Sequence, residues 1–222
     1  MLASTRPGRD KMPRTNLNIA LGLAVLLALI ASGIDPYDRA TWLLEVAPVL
    51  IAAPILLSTY RRHPLTQLLY VLIAAHALVL ILGGAYTYAR VPLGFWVQEL
   101  FELSRNPYDK LGHFMQGLVP ALLARETLLR GRYLSHGWML DLLVVCVALA
   151  ISAFYELIEW WVALAAGQGA IEFLGTQGDP WDTQSDMFLA LIGALSALLL
   201  FARLHDRQLA ALPGAEAAAT RP

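Results

Sequence analysis

The chain is poor in charge. Asp, Glu, Lys and Arg make up 15% of its 222 residues, where a soluble globular domain carries about a quarter. Acids and bases nearly cancel, to a net charge of −1, so there is no bulk basic field to hold nucleic acid. The single cysteine, Cys146, excludes an intrachain disulfide and a Cys-cluster metal site. Its place in an apolar run predicts a small buried residue. HExxH is absent, which removes a gluzincin-type protease, and neither GxSxG nor a Ser–His arrangement stands out. No internal repeat is evident.

What remains is long apolar sequence. The chain is 58% hydrophobic, with a mean hydropathy of +0.57. A membrane helix needs about 20 mostly apolar residues to cross a core of about 30 Å. Six segments reach that length, near 17–34, 41–60, 66–88, 108–129, 137–166 and 185–204. They are too long and too uniformly apolar for the alternating strands of an outer-membrane barrel. The fold class predicted is therefore all-α, an integral bundle of six transmembrane helices embedded in the lipid bilayer. The first segment is read as a span, because it exceeds most signal-peptide cores and "LIASGIDP" lacks an A-x-A site. Residues 1–16 then form a basic tail, 17–204 the membrane domain, and 205–222 a small-residue-rich tail expected to be disordered.

Lys and Arg favour cytoplasmic loops. Arranged on six spans, twelve of them fall on the side of the two termini and four on the other, namely Arg39, Arg90, Arg105 and Lys110. Both termini are accordingly predicted to be cytoplasmic. On the outer side, the 89–107 connection mixes Phe95, Trp96, Leu100, Phe101 and Leu103 with Glu99 and Glu102. That mixture suits a short amphipathic helix at the interface or a loop packed on the bundle.

Ionisable groups inside a bilayer cost at least about 2.5 kcal/mol each at mid-depth, so their placement is informative. In the fourth segment Asp109, His113 and Gln116 fall at i, i+4 and i+7, on one helical face. In the fifth, Ser152, Glu156 and Glu159 do the same. Glu45 lies near the start of the second segment, and Asp182 and Asp186 open the sixth. All map to the outer half, which predicts one polar pocket open to that side. Several have structural readings. Asp179-Pro180 suits a helix cap and Thr183-x-x-Asp186 a capping box. Asp109 and Lys110 follow Asn106-Pro107 as in a helix start, Glu45 sits where a charge is cheap, and His76 stands alone in its span. Glu156 and Glu159 lie too far from any helix end to cap it. Trp160 and Trp161 suit an aromatic belt, and Ala190, Gly193, Ala194 and Ala197 a close helix approach.

One His with several carboxylates and no Cys suits a divalent cation bound by oxygen and nitrogen. Such an ion could polarise water against a lipid-linked or other cell-envelope ester. His113, Glu156, Glu159, Asp182 and Asp186 are the predicted ligands, with Glu156, Glu159, His113 and Asp186 as catalytic groups. Glu45, Asp109, Lys110, Gln116, Asp179, Trp181 and Gln184 are further pocket candidates. Three other readings stay open: a metal-free acid and base pair, a small proton- or cation-coupled transporter, and a structural or accessory subunit.

The blocks "YDKLGHFMQGLVPALLARE", "SAFYELIEWW" and "GTQGDPWDTQSDMFLALIGA" resemble the YjdF-like family of polytopic bacterial membrane proteins, over nearly all six segments. The matching motif positions are Asp109, Lys110, His113, Glu156, Glu159, Gly178, Asp179, Trp181, Asp182, Gln184 and Asp186. The resemblance implies a bacterial inner-membrane location and brings no particular reaction with it. "DKLGHF" alone is also similar to the D-K-x-x-H-F helix entry of VanZ-like membrane proteins, which implies a cell-envelope role.

Overall fold

The computed structural model describes residues 11–166 and 176–212, with side chains for 15–165 and 176–212. The expectations for the extreme tails and for residues 167–175 of the 167–184 connection lie outside the described residues. Helix α1 is Lys11–Ile34, α2 Arg39–Thr59 and α3 Gln67–Tyr86. A 3₁₀ turn, Tyr88–Arg90, leads to the short α4, Pro92–Leu100. Then come α5, Tyr108–Arg130, and α6, Trp138–Ala166. Helix α7, Asp182–Ser196, continues through a π-helical stretch, Ala197–Phe201, into α8, Ala202–Ala210. No strand occurs among the described residues.

Five helices are long and apolar enough to cross a membrane: Thr15–Ile34, Arg39–Thr59, Gln67–Tyr86, Trp138–Ala165 and Asp182–Ala210. They carry large exposed apolar side chains, such as Leu27, Leu57, Phe154 and Leu199. A helix that is apolar all round needs lipid or a core on every side. Helix α5 is the exception. It has the length to cross, but Asp109, Lys110, His113, Arg125, Glu126 and Arg130 make it far less apolar than the other five. It packs against α3, α6 and above all α7, so its polar groups meet protein where the other helices meet lipid.

Glycine sets the closest of these contacts. A Cβ on Gly117 would collide with the Ala190 carbonyl, and one on Gly193 with the Phe114 carbonyl and Leu118 nitrogen. The predicted small-residue face of α7 is thus where it crosses α5, backbone against backbone. Gly83 and Gly112 make room in the same way for the ring of Tyr88. That ring swings inward because Thr87, at φ +57°, ends α3 short of the predicted residue 88.

Three local expectations are corrected. Cys146 is exposed, because an apolar residue in a bilayer can face lipid as readily as core. The caps predicted for the last span do not form. Its N-cap is Trp181, without a side-chain bond, and Asp179 instead accepts from the Trp181 N–H at 2.9 Å, closing a turn. Finally, the helix continues past His205 to Ala210, and His205 is fully buried.

Candidate functional site

The first two turns of α5 are placed by Asn106, which accepts from the Tyr108 N–H at 3.0 Å and donates to the Val91 carbonyl at 3.0 Å. This leaves Asp109 free of capping duty and turned to His113, one turn on. His113 Nε2 lies 3.2 Å from Asp109 Oδ1 and 3.7 Å from Asp186 Oδ2. On the other side of the ring, Nδ1 lies 3.1 Å from Gln116 Oε1 and 4.0 Å from Glu156 Oε1. Asp109, His113 and Asp186 each present a ligand atom within 4.8 Å of one another, and so do His113, Glu156 and Glu159. The glycine-mediated crossing of α5 and α7 is what brings Asp186 to His113.

Burial here is deep and incompletely compensated. His113, Glu156 and Asp186 are all under 10% exposed. Glu156 Oε1, Asp186 Oδ1 and Ser152 Oγ are buried without a hydrogen-bond partner among the described residues. A buried charge with no partner costs several kcal/mol, on the order of a lost buried pair. Several carboxyls facing one imidazole must therefore be protonated or neutralised by a cation.

Other predicted residues take different places. Asp182 is ion-paired with Arg105 Nη1 at 2.5 Å. Arg105 also meets Asp179 at 3.2 Å and donates to the Thr176 carbonyl at 2.8 Å. Burial works against the charge on Arg105, yet the Asp182 carboxylate holds its pKa above the ordinary guanidinium value. Asp182 and Asp179 thus belong to a clasp between two loops and join neither ligand group. Trp181 and Gln184 are exposed, and Lys110 is half-buried in the first turn of α5.

Beside His113 lies a cavity of about 180 Å³. Glu45, His76, Tyr88, Gln116, Tyr155 and Glu159 line it with Pro48, Leu80 and Ile151. His76 Nε2 has no hydrogen-bond partner among the described residues, and the Tyr155 hydroxyl reaches the Glu45 carboxyl. Sequence reasoning missed Tyr155, although it shares a helical face with Ser152 and Glu159, and missed Arg105 as the partner of Asp182.

It also missed a second polar cluster, at the opposite end of α5. Glu126, 1% exposed, accepts from Thr66 Oγ1 at 2.9 Å and Arg130 Nη1 at 2.8 Å. His205 Nε2 lies 3.0 Å from the same carboxylate and Nδ1 3.2 Å from Arg125 Nη1. Arginine can only donate, so Nδ1 accepts and the proton sits on Nε2, donated to Glu126. Arg125 also pairs with Asp206 at 2.7 Å. Arg125 is one of the twelve Lys and Arg counted above on the side of the two termini, yet it is 3% exposed, inside the bundle.

No solved structure matches the chain significantly. Among curated proteins it is similar to "Inner membrane protein YjdF" of Escherichia coli (strain K12), 65% identical over 187 residues, which is 84% of this chain and 90% of that protein. Residues 17–207 match the family model described as "Predicted membrane protein (DUF2238)". With nearly the whole bundle inside that match, including both ends of α5, the chain belongs to this family of membrane proteins.

Proposed function

We propose that the protein is a six-span inner-membrane protein whose His113 cluster binds a divalent cation and acts on an envelope or lipid-linked substrate from the periplasmic side. The relative's inner-membrane location supports the membrane assigned. The excess of Lys and Arg on the side of the two termini supports the orientation. Helix α5 is the sixth span, polar because protein surrounds it.

The observation that carries the metal reading is the pair of buried, unpartnered oxygens, Glu156 Oε1 and Asp186 Oδ1, beside an imidazole that can bind a metal. Metal-binding histidines usually donate their second ring N–H to a fixed acceptor. Gln116 Oε1 supplies one at Nδ1, which leaves Nε2 to join Asp109 and Asp186 on the cation. The ion would act as a Lewis acid on an ester or phosphoryl oxygen and lower the pKa of bound water. Glu156 and Glu159, on the Nδ1 side, are placed to move the proton. Relative to the sequence-based set, Asp109 replaces Asp182 as a ligand, because Arg105 holds Asp182.

Metal analysis of detergent-purified protein tests this. About one equivalent of zinc, manganese or magnesium is expected in the parent, and it should be lost in His113→Ala and Asp186→Asn. Substoichiometric metal in a folded parent supplied with all three ions overturns it. The transporter reading is less well supported. Leu69, Leu118, Leu122, Val144, Ala194 and Ala197 form one apolar cluster in the body of the bundle, and it separates the cavity from the Glu126 end.

A further inference from the structure

The cavity beside His113 differs from the metal cluster in what it can hold. Glu45, 4% exposed, lines it from α2, and Glu159 from α6. Glu45 joins neither group of carboxylates close enough to share one metal. The space between is too large for a bare ion held by short bonds to oxygen. Pro48, Leu80, Ile151 and the rings of Tyr88 and Tyr155 give it apolar walls, and Asp109, His113, His76 and Gln116 form its polar rim. No Lys or Arg lines it.

We propose that this cavity binds an alkylammonium group, the cationic end of the substrate or of a lipid headgroup. The inference rests on the proposed site for its setting, with the metal on Asp109, His113 and Asp186 at the cavity rim. An ammonium carries up to three N–H donors, as the head of a lysine does. Glu45 and Glu159 offer carboxyl acceptors that a bound cation would hold ionised, and the Tyr155 hydroxyl beside Glu45 and the unpartnered His76 Nε2 offer neutral ones. Aromatic faces attract such cations, and the apolar walls take the carbon chain. An anion would meet the carboxylates of Glu45 and Glu159. A neutral ligand would supply no counter-charge to either acid, so neither carboxylate would gain from holding it.

Ethanolamine and its neutral isostere, ethylene glycol, are the probes. Thermal unfolding of the purified full chain is followed with each, alongside metal content. Ethanolamine at about ten times its dissociation constant should raise the midpoint by about 3 °C, and ethylene glycol should not. Glu45→Gln should abolish the response. Tyr155→Phe, which keeps the ring, should weaken it several-fold and serves if Glu45→Gln does not fold. Asp186→Asn should lose metal yet keep the response, so the amine and metal readings can fail separately. Equal response to both probes, or to neither in folded parent protein, overturns the inference. In nanodiscs, loss of the ethanolamine shift with phosphatidylethanolamine but not phosphatidylglycerol supports it and assigns the amine to a lipid headgroup. A shift retained in both supports it with a soluble amine as the ligand.

Discussion

Helix α5 carries a polar cluster at each end, and the two are built on opposite principles. At the Glu126 end, both carboxylate oxygens of Glu126 and both nitrogens of His205 are engaged by neighbours. At the His113 end, buried acids outnumber their partners and oxygens of Glu156 and Asp186 have none. Arg125 Nε at the Glu126 end is left without a partner among the described residues, but a network so nearly satisfied fixes one packing arrangement. An unsatisfied one persists only when something else, a cation, protons or a substrate, completes it. On the proposed function, the contrast separates a fastening from a working site on a single helix.

The sharpest way to break that contrast is to remove one member from each cluster. Glu126→Ala strips a buried network of its central acid and should cost about 3–5 kcal/mol. Asp186→Asn, in metal-free protein, should cost less than about 1 kcal/mol or stabilise, since it removes a burden of uncompensated charge. Chemical unfolding of both variants in one detergent checks the pair. Comparable losses would show that both ends are fastenings.

A smaller effect is expected where the clusters share a support. Gly193→Val forces α7 away from the Phe114 carbonyl, at about 2–3 kcal/mol for overpacking. It should also weaken metal binding, because Asp186 lies two turns along the same helix. Unfolding midpoint and metal content, read together, check this. Next, Gln116→Ala leaves the ligands in place but frees the His113 ring. It should lower metal affinity about 10–100-fold with little change in stability of the metal-free protein, as measured by competition with a chelator.

The smallest effect lies outside both clusters and serves as a baseline. Asp38, the N-cap of α2, accepts from the Thr41 N–H at 2.7 Å, and that bond holds its carboxyl below the ordinary value of 3.8. Its contribution is present above the unfolded-state pKa and is lost as pH falls through the lower folded-state value, so only below about pH 4. Because the site is exposed, Asp38→Ala should cost only about 0.5 kcal/mol at neutral pH. Unfolding of both proteins at pH 7 and pH 3 should show the difference shrinking in acid.

How much of this was legible in the sequence depended on range. Five membrane-length helices followed from apolar length alone, and the facing of Asp109, His113 and Gln116 from spacing along one helix. Pairings across long separations did not follow. Glu126 and His205 stand 79 residues apart, and Arg125 looked like a loop cation because its partners, His205 and Asp206, sat in what read as a tail. Asp182 looked like a ligand for the same reason, with Arg105 at the far end of another connection. Cys146 shows a different limit. In lipid, an apolar run carries no signal of which side faces the core, so neither its burial nor its exposure could be read.

The polarity of α5 has a consequence for how the chain is made. A segment with acids, a histidine and arginines partitions poorly into lipid by itself. Helices α1 to α3 precede it in synthesis, but its principal neighbours, α6 and α7, follow it. If α5 is the sixth span, as proposed, the nascent helix should wait at the protein-conducting channel or at the membrane surface until the later helices arrive to shield it. Truncation before α7 should leave it exposed to quality-control proteolysis. The residues that equip the site are thus also those that make biogenesis of the bundle depend on its last helices.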